Sequence, residues 1–167
     1  HFWTPDVYDG APSVFTSFMS TIVKAAGMLA FIRVFENQYM VLGPTWHIIV
    51  DFAIVTTLFI GNITAVFQQS VKRMLAYSSI AQAGFMLFAL YANNTEIAKE
   101  GMLLYAAAYS LATISIFAVL IKLQDYTLDG FNGLAKKEPV LAFAATVSLL
   151  SLSGIPLTAG FFAKYYV

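Results

Sequence analysis

The chain has 167 residues, 59% of them hydrophobic and 11% charged, with nine basic and nine acidic side chains and no net charge. A soluble domain carries about 25% charge, so the composition excludes an ordinary soluble domain and fits an integral membrane protein with several spans. The neutral balance argues against a nucleic-acid partner, the lack of cysteine excludes thiolate-held iron–sulfur clusters and disulfides from these residues, and two histidines leave little for haem or a metal.

His1 to Pro12 (HFWTPDVYDGAP) reads as a polar, aromatic connector punctuated by Pro and Gly, with Trp3 and Tyr8 suited to the membrane interface. A start at His1 without Met, and a stop inside an apolar run, read as an internal fragment. The first span is expected over 13–35, which at about 1.5 Å per residue is long enough for a hydrocarbon core of about 30 Å. Lys24 falls near its middle, where a lysine costs on the order of 3 kcal/mol. Ser13, Ser17, Ser20 and Thr21 precede Lys24 on one helical face, and Gly27 continues it. Two readings follow: a structural lysine paired with an acid on another helix, or a group that carries protons. Burial disfavours the charged form of a lysine and an acidic neighbour favours it, so a balanced group can be toggled. Ionisable residues at membrane depth are functional by default, which favours the second reading.

Residues 36–44 read as a turn ending in Gly43-Pro44. The second span, 46–67, carries His47, Asp51 and Asn62 on one face. Asp51 lies close to the boundary and reads as interfacial or paired with His47; a relay role is the alternative. A polar turn at 68–73 leads into a third span at 74–91, opening with Tyr77-Ser78-Ser79, and then a charged loop at 93–100. The fourth span, 101–121, carries Tyr105, Tyr109 and Thr113 at i, i+4 and i+8. Such a stripe reads as packing with hydroxyls bonding across the interface, or as a hydroxyl-and-water path that includes Ser110.

The polar segment 122–138 precedes a fifth span at 139–167. Inside that span stand Gly154, Pro156 and Gly160, a density that breaks a helix rather than kinking it. Broken helices in membranes line cavities or ion sites. Lys164 follows four residues after Gly160; the alternative is a span that ends at Gly154 and leaves Lys164 in a loop. The predicted fold is all-α: one polytopic transmembrane bundle over 1–167, with about five spans and the last broken. Lys72, Arg73, Lys122, Lys136 and Lys137 flank one side and Arg33 and Lys99 the other, which puts 68–73 and 122–138 in the cytoplasm, or on the matrix or stromal side of an organelle.

Four motifs in order, FWTPDVYDGAP, STIVKAAG, VKRMLAYSSIAQAGFM and LSLSGIPLTAGFFAK, resemble the antiporter-like membrane subunits of proton-pumping NADH:quinone oxidoreductase, respiratory complex I. TPDVYDGAP, where sister chains L and M usually read LPDA, is similar to chain N. The resemblance implies that the spans are helices 8 to 12 of a fourteen-helix subunit. Lys24 then matches the lysine of helix 8 and Lys164 that of helix 12, where chain M carries a glutamate. The family's helix-5 glutamate and helix-7 lysine would fall before His1. Some sister chains place a lysine in helix 11; here Tyr109, Ser110 and Thr113 stand in that region, so a relay there would use hydroxyls and water.

The implied function is proton translocation within an oxidoreductase, with Lys24 taking a proton and Lys164 passing it on, and with Ser17, Ser20, Thr21 and the helix-11 hydroxyls as candidates for the path. The resemblance implies no cofactor and no metal in this chain, and NADH, FMN, iron–sulfur clusters and quinone in partner subunits. The implied partners are the other membrane and hydrophilic subunits of complex I and the lipid bilayer. The bacterial inner membrane is the expected location, with an organelle inner or thylakoid membrane as the alternative. A subunit of a multi-subunit sodium/proton antiporter and a passive membrane scaffold are the rival functions.

Overall fold

The computed structural model describes the backbone of residues 1–42, 45–90 and 96–167, and the side chains of 1–35, 46–89 and 100–167. The described residues are helical throughout, apart from connectors and one isolated antiparallel bridge between Ser70 and Thr127. The connector at the start contains a short helix, α1 (Thr4–Gly10), begun by Pro5, whose missing N–H costs nothing in a first turn. After Pro12 come α2 (Ser13–Phe18), a π-helical turn (Met19–Val23) and α3 (Lys24–Leu42), which run on as one helix. The remaining helices are α4 (Thr45–Val66), α5 (Val71–Leu87), α6 (Glu96–Leu123), α7 (Leu134–Lys137), α8 (Pro139–Ser153) and α9 (Ala159–Tyr166).

Three helical stretches, Ser13–Phe35, Trp46–Val66 and Glu100–Leu123, are long and apolar enough to cross a membrane. The two other expected crossings take shorter forms: α5 has 17 residues and is followed by a 3₁₀ turn over Phe88–Leu90, and α8 has 15 residues before the break. The expected turn at 36–44 is helical as far as Leu42 and its Gly43-Pro44 end lies outside the described residues; of the loop expected at 93–100, residues 93–95 lie outside them and 96–100 are instead the first residues of α6. Lys72 and Arg73 belong to the first turn of α5, not to a preceding loop, because Ser70 caps that helix by accepting from the Arg73 amide.

The core runs along α5 and α6, where Leu75, Met86, Met102, Ile116, Phe117 and Leu120 are buried together. Small residues let the backbones approach, as expected where the lipid alternative is equally apolar. A methyl group on Gly61 would meet the Ala81 amide nitrogen at 2.9 Å, which sets the closeness of α4 to α5. On the other flank, Gly101 of α6 accommodates the Tyr166 carbonyl of α9, which a methyl group there would meet at 2.5 Å.

One end of the bundle is tied together. Arg73 pairs with Asp6 at 3.2 Å, Ser70 donates to Asp9 at 2.8 Å, and the Val71 amide donates to the Tyr126 carbonyl at 2.7 Å. Lys72 is buried there, donating to the Ala11 carbonyl at 2.9 Å with its ammonium 4.2 Å from the Tyr126 ring centre. The segments 1–12, 67–73 and 124–138 therefore share one rim, where the charge pattern grouped 68–73 with 122–138.

Candidate functional site

Lys24 follows directly on the π-helical turn. A π turn widens the helix by one residue, so positions beyond it no longer follow the 100° spacing set before it. Ser20 and Thr21 use their hydroxyls within the turn itself, donating to the Ser17 carbonyl at 3.0 and 2.7 Å. They stabilise the helix and leave the lysine to find its partners elsewhere. Gly27, expected on the Lys24 face, is exposed with open space around it. Ser17 is half-buried.

The ammonium of Lys24 donates to the hydroxyl and to the carbonyl of Ser79 on α5. The Tyr109 hydroxyl of α6 donates to the same Ser79 oxygen at 3.1 Å, and the Tyr109 ring lies 5.5 Å from the ammonium. Tyr8 reaches this serine from α1 and, at 3% exposed, is packed inside the bundle. Thr113 Oγ1 is buried next to the Tyr109 phenol without a well-formed hydrogen bond.

A second bonded set surrounds Lys164. The helix α8 ends at Gly154, whose φ of 81° is left-handed and whose amide, like that of Ile155, turns back to the Leu150 carbonyl at 3.1 Å. This is the glycine stop that a helix uses when it must end sharply. The Leu152 and Ser153 carbonyls are left for other donors, and the Lys164 ammonium takes them at 3.1 and 3.2 Å. Its stem fills the space a Gly154 side chain would need, with Cδ 2.9 Å from that position, and its charge sits 4.6 Å from the Phe85 ring centre. Gly160 makes the return possible: a methyl group there would lie 1.8 Å from the Ser151 carbonyl oxygen. Lys164 thus sits on a helix that folds back against the break, not in a trailing loop.

Gln82 of α5 joins this set. Its Nε2 donates to the Leu152 carbonyl at 2.8 Å, and its Oε1 accepts from the Tyr105 hydroxyl. Tyr105 and Tyr109 are one turn apart on α6 and line one open-sided cavity with Gln82, Ser151 and Lys164. Its free space is about 210 Å³ including the mouth, and the enclosed part has room for about one water molecule. The site is two bonded clusters, Lys24–Ser79–Tyr109 and Tyr105–Gln82–Leu152–Lys164, that meet at this cavity.

Of the residues singled out in the sequence, Lys24, Tyr109, Lys164, Gly154 and Gly160 come together here, and Thr113 borders them. Ser110 is half-buried outside the cavity lining. Pro156 lies in the connection between α8 and α9. On α4, His47 is half-buried and Asp51 exposed; both have partners within the chain, and neither belongs to the two clusters. Among the described residues no three His, Asp or Glu side chains are grouped to hold a metal ion. The sequence pattern gave Gln82 no role, suggested the membrane interface for Tyr8, and marked Ser79 only as part of a span opening. The available signal was their spacing: Ser79 and Gln82 stand at i, i+3 in the mostly apolar second half of α5.

The family described as NADH:quinone oxidoreductase/Mrp antiporter, TM, matches residues 1–167, and the chain belongs to it. Among its relatives, NADH-quinone oxidoreductase subunit N 1 of Herpetosiphon aurantiacus is 42% identical over 99% of this chain and 34% of its own length. NADH-quinone oxidoreductase subunit N of Trichlorobacter lovleyi is 41% identical over 100% of this chain and 35% of its own. Among solved structures, respiratory complex I from Thermus thermophilus with bound aureothin matches with a TM-score of 0.85 and 41% identity, over 99% of this chain and 36% of that one. The membrane-bound sulfane sulfur reductase, an archaeal respiratory membrane complex, matches with a TM-score of 0.82 and 27% identity, over 99% of this chain and 35% of that one. The chain spans about a third of the length of the curated relatives it matches.

Proposed function

We propose that these residues form a proton-conducting portion of a membrane subunit of NADH:quinone oxidoreductase, with Lys24 and Lys164 as the groups that take up and pass on protons. The observation that carries this reading is the kind of partner each lysine has. A lysine held at membrane depth by a carboxylate has its charge fixed. Here both ammonium groups are bonded to uncharged oxygens, Ser79 for one and the free carbonyls of a broken helix for the other. Such partners serve a charged lysine without locking it in that state. Tyr105, Tyr109 and the cavity between them supply hydroxyls and space for water along the way.

In this reading NADH oxidation and quinone reduction, with FMN and iron–sulfur clusters, belong to partner subunits, and the membrane is a bacterial inner membrane. The match to respiratory complex I at 41% identity favours a redox-driven assembly over a sodium/proton antiporter, although the family description names both. The test is Lys24→Ala and Lys164→Ala, each in the complete subunit within an assembled complex, read as proton uptake by inverted vesicles given NADH. Loss of pumping by at least tenfold is expected from either. Normal pumping in assembled complexes would make the lysines structural and the chain a scaffold; sodium transport without NADH oxidation would identify an antiporter.

A further inference from the structure

Gln82 lies on α5, 5% exposed, between the two clusters. Its orientation follows from its neighbours. The Leu152 carbonyl can only accept, so the amide must turn its NH₂ toward it and its oxygen toward Tyr105. Tyr105 then spends its one proton on that oxygen. A neutral carboxamide neither gains nor loses a proton in ordinary acid–base exchange. The bonded string Tyr105–Gln82–Leu152–Lys164 is therefore continuous as a tether and interrupted as a proton path.

We propose that Gln82 is a positioning residue: by holding the Leu152 carbonyl it fixes where the Lys164 ammonium rests, while the proton crosses beside it through water in the cavity lined by Tyr105, Tyr109 and Lys164. Leu152 accepts from both Gln82 at 2.8 Å and Lys164 at 3.1 Å, and a carbonyl oxygen has two lone pairs for the purpose. The tether also ties three helices, α5, α6 and α8, at the depth of the break. This inference rests on the proton-conducting reading given above.

Two variants of the complete subunit, in an assembled complex, test it. Gln82→Glu keeps an acceptor for Tyr105 and loses the donor to Leu152. It also sets a carboxylate near the ammonium, which favours the charged lysine. The other groups facing Lys164 are Tyr105 and Tyr109 from α6, Phe85 from α5, and Ser151 and the free carbonyls from α8, and the cavity lining holds no carboxylate that would mask the change. The pH profile of pumping per NADH oxidised is expected to move upward by about one unit, the size of effect a charge within a few ångströms produces. Gln82→Met, of similar length without polar ends, is expected to lower pumping about tenfold. An introduced carboxylate moves the profile wherever it lies near the ammonium, so the shift in Gln82→Glu places residue 82 beside Lys164, and the positioning role stands only if assembled Gln82→Met also loses pumping. An unchanged profile in Gln82→Glu, with Lys164→Ala inactive, would overturn the role of Gln82 and leave the proton reading standing. Normal pumping by Lys164→Ala would remove both.

Discussion

Asp125 shows how local geometry sets the behaviour of one residue. The Thr127 amide and hydroxyl both donate to Asp125 Oδ1, at 2.9 and 2.8 Å, and together hold its carboxyl below the usual carboxylate range. A carboxyl that is more acidic in the folded chain contributes stability above its ordinary titration range. That contribution is lost as the pH falls through the lowered value. Thr127→Val keeps the amide donor and removes the hydroxyl, so the Asp125 carboxyl should titrate closer to the ordinary range, followed by carbon-13 NMR of the carboxyl group. The sequence pattern marked 122–138 only as a polar segment, although Asp-Tyr-Thr puts a donor two residues after an aspartate. Ser79 and Gln82 were not legible in the same way. A serine or glutamine in an apolar helix has the same signature whether it packs or bonds, and only the approach of α3, α6 and α8 gives these two their partners. Lys24 and Lys164 stood out because an ammonium among apolar residues is costly to place there.

At the scale of elements, the break between α8 and α9 depends on one very close crossing. A methyl group on Gly160 would need to occupy the space of the Ser151 carbonyl, and no rotation of a side chain can relieve that. Gly160→Ala should therefore displace α9 and lower the melting temperature of the detergent-solubilised subunit by several degrees, with a loss of about 2–3 kcal/mol or more, as for other overpacked sites. Retention of wild-type stability would mean that α9 does not cross α8 this closely. The glycines and Pro156 announced this break because few other structures need them so close together. The π turn before Lys24 left no such mark, since Met19–Val23 contains no residue reserved for that geometry. Its effect was to put Gly27 off the expected face. The helix bounds also extended beyond the apolar runs, as Leu42 and Glu96 show, because backbone hydrogen bonding continues past the point where hydropathy changes.

Among the described residues, the molecule has a charged rim at one end and long apolar flanks. Phe52, Phe59, Ile63 and Val66 are exposed along α4, as suits lipid or a neighbouring chain. The charge pattern predicts that the rim holding Arg73, Lys122 and Lys137 faces the cytoplasm. With no cysteine among these residues, Lys137→Cys provides a marker in a cysteine-free version of the complete subunit. A thiol reagent that cannot cross membranes should label it in inverted vesicles and leave it unlabelled in intact cells, and the opposite result would reverse the orientation. That rim has a mechanical consequence. The first turn of α5 is bolted to the segments before α2 and after α6, and its length is clasped by α4 through Gly61. Ser79 and Gln82 ride on this clamped helix; Lys24 reaches Ser79 from its own helix, and Lys164 meets Gln82 only at the shared Leu152 carbonyl. The Ser79 and Gln82 side chains are thereby kept at set heights from the rim, like graduations on a ruler held at one edge.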